Sequence, residues 1–241
     1  MNTDQNSMLT RKHFPFYEKL DLQFDPEKIM AELKILEELN GGWNDMKTNA
    51  PLIKELTHGR DRLTQVFQND DGEYHSYEQI ICTEYNEDQN ATKTIDATGG
   101  TLSQYKQDMD KAKSGLNESA YNQLRPMMDN APYIRDVLEQ FQDPISRARF
   151  ARIQPDFQIK PHIDYCTRYG MRYHIALTTN DDCKLGFRHS PKDDFEVLHI
   201  PVDGHVYFVN AGFEHYAENM GDTERTHFVV GVTGQSLMNN A

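Results

Sequence analysis

From Arg147 onward the chain is a succession of short β-prone runs: RFARIQ, MRYHIALTT, KLGFRH, FEVLHIP, HVYFVN and RTHFVVGV. Turn residues separate them, among them Asp181-Asp182, Pro191, Pro201-Val202-Asp203-Gly204 and Gly221-Asp222. Strands this short, with turns at such intervals, bury their apolar faces by forming a sandwich or a barrel. The fold class is therefore mainly β, with a helical N-terminal half bracing the core.

The N-terminal half carries weaker signals. Residues 1–12 are polar and read as a mobile tail, and FPFYEKLDLQF from Phe14 alternates loosely, as an edge strand does. Asp25-Pro26 reads as a helix N-cap with proline at the first helical position. Ile29, Leu33, Leu36 and Leu39 follow at helical spacing, and Gly41-Gly42 ends the run. YEQIICTEY at 77–85 reads as a strand, 86–115 as a long polar loop, and 118–129 and 132–141 as helices. No composition break resembles a linker. One domain of residues 1–241 is expected: the tail, a helical scaffold with flanking strands over 13–144, and a β core over 145–235.

Composition narrows the function. With 38 acidic residues against 25 Lys and Arg, the net charge is −13, which disfavours nucleic acid and anionic membrane as partners. The three cysteines, Cys82, Cys166 and Cys183, are widely spaced without a CxxC, so neither a disulfide framework nor a thiolate zinc site is expected. There is no apolar leader and no run of membrane-spanning length, so a soluble, cytoplasmic protein is expected. GxSxG, Walker and GxGxxG motifs are absent, leaving hydrolase and nucleotide-binding readings without support.

The chemistry concentrates in KPHIDYCTRYGMRYH, residues 160–174. Side chains at i and i+2 of an extended segment share a face, so His162 and Asp164 can grip one cation together. Two imidazoles and one carboxylate on one octahedral face are the ligand set of non-haem Fe(II) oxygenases. Magnesium or calcium would want more carboxylates. The third ligand must come from another strand, and His189, His199, His205, His215 and His227 are the candidates. His215 stands out because it lies just past the Asn210-Ala211-Gly212 turn, ten residues before Arg225.

From Arg147 to Val232 the sequence resembles the aspartyl/asparaginyl β-hydroxylase family of 2-oxoglutarate-dependent oxygenases, in particular its proline hydroxylase branch. The resemblance is carried by RARF leading into a strand, HxD at His162/Asp164, and RxH at Arg172/His174. A glycine-led strand, H-x3-N at His215/Asn219, and Arg225 complete it. APYIRDVLEQF upstream is similar to the helix that precedes the family's core. The resemblance implies a double-stranded β-helix of the jelly-roll, cupin-like kind, with His162, Asp164 and His215 binding Fe(II). It implies that Arg225 pairs with the far carboxylate of 2-oxoglutarate, that Arg172 and His174 lie on the cofactor-contacting strand, and that ascorbate serves as a supporting reductant. One departure is Asp156, which follows Pro155 where the family usually has glycine.

Residue chemistry leads to the same reading. Along MRYHIALTT, Arg172, His174, Ala176 and Thr178 share one face, and Tyr173, Ile175 and Leu177 the other. An inward guanidinium requires an anion, because burying one alone costs several kcal/mol. A dicarboxylate or one of the many acidic side chains can serve. Bidentate pairing with a carboxylate explains arginine rather than lysine at 225. His227 shares a face with Arg225 and is a candidate for substrate contact. The expected activity is hydroxylation of an unactivated C–H of a free, proline-like amino acid. A peptidyl Asp or Asn side chain is the alternative substrate, and a non-catalytic cupin-like module for a metal or small acid is the rival of another class. Asp164 favours hydroxylation over halogenation, since its carboxylate fills the position a halide would need.

Overall fold

The computed structural model describes residues 9–45, 77–84, 122–164 and 166–239, and in it the β-prone runs become strands. In chain order these are β1 (Tyr17–Gln23), β2 (Asn44–Asp45), β3 (Tyr77–Ile81), β4 (Thr83–Glu84), β5 (Gln123–Leu124), β6 (Ile145–Ile153) and β7 (Phe157–His162). They continue with β8 (Met171–Thr178), β9 (Cys183–Arg188), β10 (Glu196–Leu198), β11 (His205–Val209), β12 (Glu214–Asn219) and β13 (Arg225–Val232). A seven-stranded sheet runs β1-β11-β8-β13-β6-β3-β2, and a four-stranded sheet runs β10-β9-β12-β7. Every pairing is antiparallel. Ile153, Ala176 and Val229 of the large sheet pack against Phe157, Ile159, Leu185, Phe187 and Ala217 of the small one. Two antiparallel sheets packed face to face in this way form the expected jelly roll.

The other face of the large sheet is covered by helices α1 (Pro26–Asn40) and α2 (Pro132–Glu139). Tyr173, Ile175 and Leu177 of β8 join Phe150, Phe208 and Phe228 there, beneath Ile29, Leu33 and Leu36 of α1 and Ile134, Val137 and Leu138 of α2. Asp25 caps α1 by accepting from the Glu27 and Lys28 amides, and Gly41, at φ 75°, ends it in the left-handed conformation. Leu39, expected on the buried stripe, is 53% exposed. The N-cap position of α2 is Ala131, whose methyl group cannot accept a hydrogen bond; Glu32 of α1 reaches across, its carboxylate accepting from the Tyr133 and Ile134 amides at 2.8 Å each. That contact locks the two helices together at an otherwise orphaned helix start.

Three expectations are corrected. Within 118–129, the described residues form β5 and a 3-10 turn, Pro126–Asn130, rather than a helix. Proline at 126 holds Arg125 extended (ψ 148°), so a helix cannot run through it. The expected N-terminal strands are present: β1 lies within FPFYEKLDLQF and β3 within YEQIICTEY, and with β2 they extend the large sheet. Leu9 to Lys12 are not a loose tail: Leu9 exchanges hydrogen bonds with the Gln235 amide at 3.0 and 2.7 Å, and Arg11–His13 form a 3-10 turn. Both β7 and β12 were missed as regular strands. The polar segment 86–115 lies outside the described residues.

Candidate metal centre and its cavity

Both ligand-bearing strands lie in the small sheet. In the β12–β7 pairing His215 stands opposite His162, which sets their rings 4.4 Å apart, centroid to centroid. β7 is the edge strand of its sheet, which is why Pro161 is tolerated one residue before His162. The register slips between His215 and Ala217, a bulge of the kind that re-aims side chains beside active sites. Past the end of β7, the Asp164 amide donates to Ala211 O at 3.0 Å. That bond brings the HxD segment onto the turn that leads into His215. Asp156, at φ 55°, makes the tight turn from β6 into β7 where the family's glycine would stand.

The three side chains converge. One atom each from His162, Asp164 and His215 lies within 4.8 Å of the others. His162 Nε2 is 3.7 Å from Asp164 Oδ1, and His215 Nε2 is 3.9 Å from Oδ2. The other ring nitrogens are committed: His162 Nδ1 lies 2.7 Å from Lys160 O, and His215 Nδ1 3.0 Å from Phe213 O. A carbonyl only accepts, so both Nδ1 atoms carry the proton and both Nε2 lone pairs face the carboxylate. This outer-shell arrangement fixes imidazoles as metal ligands. Burial draws the His215 pKa down to about 3, so the ring is neutral and ready to ligate. The ring of Phe187 lies nearly parallel to that of His215, at 6.2 Å and 19°. The donor set of two neutral imidazoles and one carboxylate fits a ferrous ion.

The remaining predicted residues face or back the same cavity. It is lined by His162, Asp164, His215, Arg172, His174 and Arg225, with Arg147, Arg149, Gln79 and Tyr77 contributing from β6 and β3. Arg172, however, is directed at the metal site itself: its Nη1 donates to Asp164 Oδ2 at 2.6 Å. Of the anions the sequence allowed for it, the structure supplies an acidic side chain. Arg225 lies at the far end. Its strand partner in β6 is Ile153, whereas Arg172 stands opposite Gly231. Six residues of β13 separate the two positions, about 20 Å at roughly 3.4 Å per residue.

His227 is one layer back. It accepts from Arg225 Nη2 at 3.0 Å through Nδ1, and His174 Nδ1 approaches the same atom at 3.2 Å. A guanidinium only donates, so His227 Nδ1 carries no proton and His174 Nδ1 is the donor. His174 therefore presents an Nε2 lone pair, and His227 holds Arg225 and His174 in place rather than lining the cavity. Burial, reinforced by the Arg225 charge, pushes both histidines well below their usual range. Arg225 itself is pulled down by burial to about 10 and stays cationic at neutral pH. Asn219, the last residue of the H-x3-N pattern, is a buried tie. Its amide donates to Ile153 O at 3.1 Å and Thr223 O at 2.8 Å, which folds the turn that delivers Arg225.

Sequence reasoning gave Arg147, Arg149, Gln79 and Tyr77 no site role. The signal was the alternation R-x-R in RARF, which places Arg147, Arg149 and Ala151 on one face of β6. Cys166 is half-buried, its sulfur taking the Arg11 amide, and Trp43 packs under the Arg152 guanidinium at 4.0 Å. Among the described residues no helix is long and apolar enough to cross a membrane.

Comparison with known proteins gives a family and distant structural likenesses. No curated protein matches the chain. A prolyl-4-hydroxylase of Pseudomonas putida aligns with a TM-score of 0.41 at 12% identity, over 90% of this chain and 91% of that one. A 2OG-Fe(II) oxygenase family protein of Burkholderia pseudomallei gives 0.36 at 14%, over 66% and 69%. The capsular polysaccharide assembling protein CapF of Staphylococcus aureus gives 0.29 at 18%; 36% of this chain is covered but only 23% of CapF. At such distances no activity passes from these proteins to this one. The sequence-family model described as aspartyl/asparaginyl beta-hydroxylase matches residues 75–234. That match takes in the greater part of the chain, including every strand that lines the cavity, so the chain belongs to the aspartyl/asparaginyl β-hydroxylase family and is an oxygenase.

Proposed function

We propose that the protein hydroxylates an unactivated C–H of a free amino acid of the proline kind, with Fe(II) and 2-oxoglutarate as the family implies. The observation that carries this reading is the convergence of His162, Asp164 and His215 on one point of a cavity whose far wall holds the buried cation Arg225. Iron with 2-oxoglutarate, when bound, would supply the chemistry with dioxygen as the oxidant, one oxygen atom going to succinate as carbon dioxide is lost and the other to the substrate's C–H.

The chain's own residues do the positioning. His162 and His215 offer Nε2, and Asp164 offers carboxylate oxygen. Arg225 receives the far carboxylate of the cosubstrate, its guanidinium oriented by His227. His174, with its lone pair aimed inward, suits a donor group on a bound molecule better than a carboxylate. Ile159, Leu185, Val209 and Val229 line the remaining walls and exclude water. A free amino acid is favoured by the β6 wall, where Arg147 and Arg149 lie beside Ala151 and Ile153. That pairing suits a small ligand with a carboxylate at one end and an apolar body.

The test is succinate release stimulated by each free amino acid, by Asp- and Asn-containing peptides, and by no substrate, with ascorbate in the mixture. Stimulation by a free amino acid is expected. Stimulation by the peptides alone would move the assignment to a peptidyl side chain. His162→Ala should abolish the release, and Arg225→Ala should raise the 2-oxoglutarate concentration required about tenfold or more, as loss of a charged hydrogen bond does.

A further inference from the structure

The N-terminal residues cross directly over the turn from which the metal ligands hang. Three consecutive carbonyls of that turn have distinct tasks. Ala211 O accepts from the Asp164 amide at 3.0 Å, Phe213 O meets His215 Nδ1 at 3.0 Å, and Gly212 O, between them, accepts from the Arg11 guanidinium. The backbone of one ligand, Asp164, and the ring of another, His215, are thus held by carbonyls that flank the one Arg11 holds.

The rest of the segment fastens the same place. The guanidinium of Arg11 lies over the Phe213 ring, 5.3 Å from its centroid. Its backbone amide donates to the sulfur of Cys166 at 3.4 Å, two residues beyond Asp164. Asn210, fully buried at the start of the turn, donates from its side chain to Arg11 O and Pro15 O at 3.0 Å each, while its amide donates to Phe16 O at 2.8 Å. The ring of Phe16 meets Phe213 edge-on at 4.9 Å and stacks on Phe187, which in turn lies along His215. Space is tight as well: a Cβ on Gly212 would lie 3.1 Å from Arg11 Cβ.

We infer that Leu9–Phe16 is a strap that sets the geometry of the metal centre, and that Arg11 is its principal positioning residue. Arg11 touches neither metal nor substrate. It acts through Gly212 O and Phe213, fixing the directions of the carbonyls on either side and so the aim of Asp164 and the His215 ring. Outer-shell partners of this kind alter metal affinity by about 10- to 100-fold. The inference rests on the metal reading above.

The experiment uses the full chain stripped of metal and titrated with Co(II), whose visible absorption reports ligand geometry. Arg11→Met keeps the stem against Gly212 and Phe213 but removes the donor. It should weaken Co(II) binding at least tenfold and shift the visible band, and Arg11→Lys should recover most of both. The thermal midpoint of the metal-free protein is measured alongside. A lowered midpoint with affinity and band unchanged would reduce Arg11 to a fold-stabilising contact and overturn the inference. Should Arg11→Met not fold, Gly212→Ala, whose added Cβ displaces the Arg11 stem, is read against the same outcomes. Failure of the unmodified protein to bind Co(II) would instead defeat the metal reading itself.

Discussion

Replacing Arg172 with glutamine separates the electrostatic part of this site from its geometry. The guanidinium donates to Asp164 Oδ2 at 2.6 Å, and the two side chains are 9% and 2% exposed. At an effective dielectric of about 20, two unit charges at that distance attract by roughly 6 kcal/mol. The variant also sheds the desolvation cost of the guanidinium, so the net loss is smaller; breaking a buried pair costs about 3–5 kcal/mol. That figure applies to the metal-free protein, where a buried carboxylate loses its cation. A bound divalent ion supplies another, so the loss should shrink to about 1–2 kcal/mol in its presence. By the thermodynamic cycle, the folded variant then binds metal about 2 kcal/mol more tightly, or roughly 30-fold. Urea unfolding with EDTA and with saturating Mn(II), together with a direct Mn(II) titration, measures each leg. Equal losses in both conditions, or weaker Mn(II) binding by the variant, would refute the reasoning and make Arg172 an orienting group.

Other predictions follow from the same contacts. Burial keeps His215 near 3, and His174 and His227 well below their usual range, while the unfolded chain takes up protons on these rings from about pH 6.5 downward. Their folded pKa values are depressed, so the metal-free protein has its full stability above about pH 6.5 and loses it as the pH falls toward 3, each ring contributing at most about 1.4 kcal/mol per unit. Unfolding free energies at pH 7 and pH 5 should show the drop, and His227→Gln should flatten it; a flat profile in the unmodified protein contradicts the assignment of neutral histidines. Asp156→Gly should stabilise by about 0.5–1 kcal/mol by relieving the left-handed conformation, and a loss of stability would mean its side chain is needed in the turn. Gly186→Ala puts a Cβ 2.1 Å from Tyr216 Cε1, next to His215, and should cost about 1–3 kcal/mol in thermal or urea unfolding. An unchanged midpoint would show that the ring moves aside freely.

What the sequence disclosed, and what it withheld, divides along a physical line. Local periodicity placed α1, α2, β1, β3, β6, β8, β9, β10, β11 and β13, because their buried faces are written in alternating or helical apolar positions. β7 and β12 broke that pattern: FQIKPH and EHYAEN carry lysine, proline, glutamate and asparagine, since their inward positions include metal ligands and β7 lies at an edge. The HxD pair was legible because both residues sit on one short segment. The third ligand was not fixed by spacing, for the pairing of His215 with His162 is a tertiary register that no local pattern encodes. The partner of Arg172 escaped for a similar reason, as many acids were available to it. Least visible was the strap at Leu9–Phe16, whose main partners are backbone carbonyls and a turn two hundred residues away.

The central claim is that one ferrous ion and one 2-oxoglutarate bind together between His162, Asp164, His215 and Arg225. Anaerobic addition of Fe(II) and then 2-oxoglutarate to the metal-free protein tests it most directly, followed by visible absorption. A charge-transfer band that saturates at one iron per chain and disappears in His215→Ala is the predicted result. No band in the unmodified protein, or an undiminished band in the variant, would contradict it.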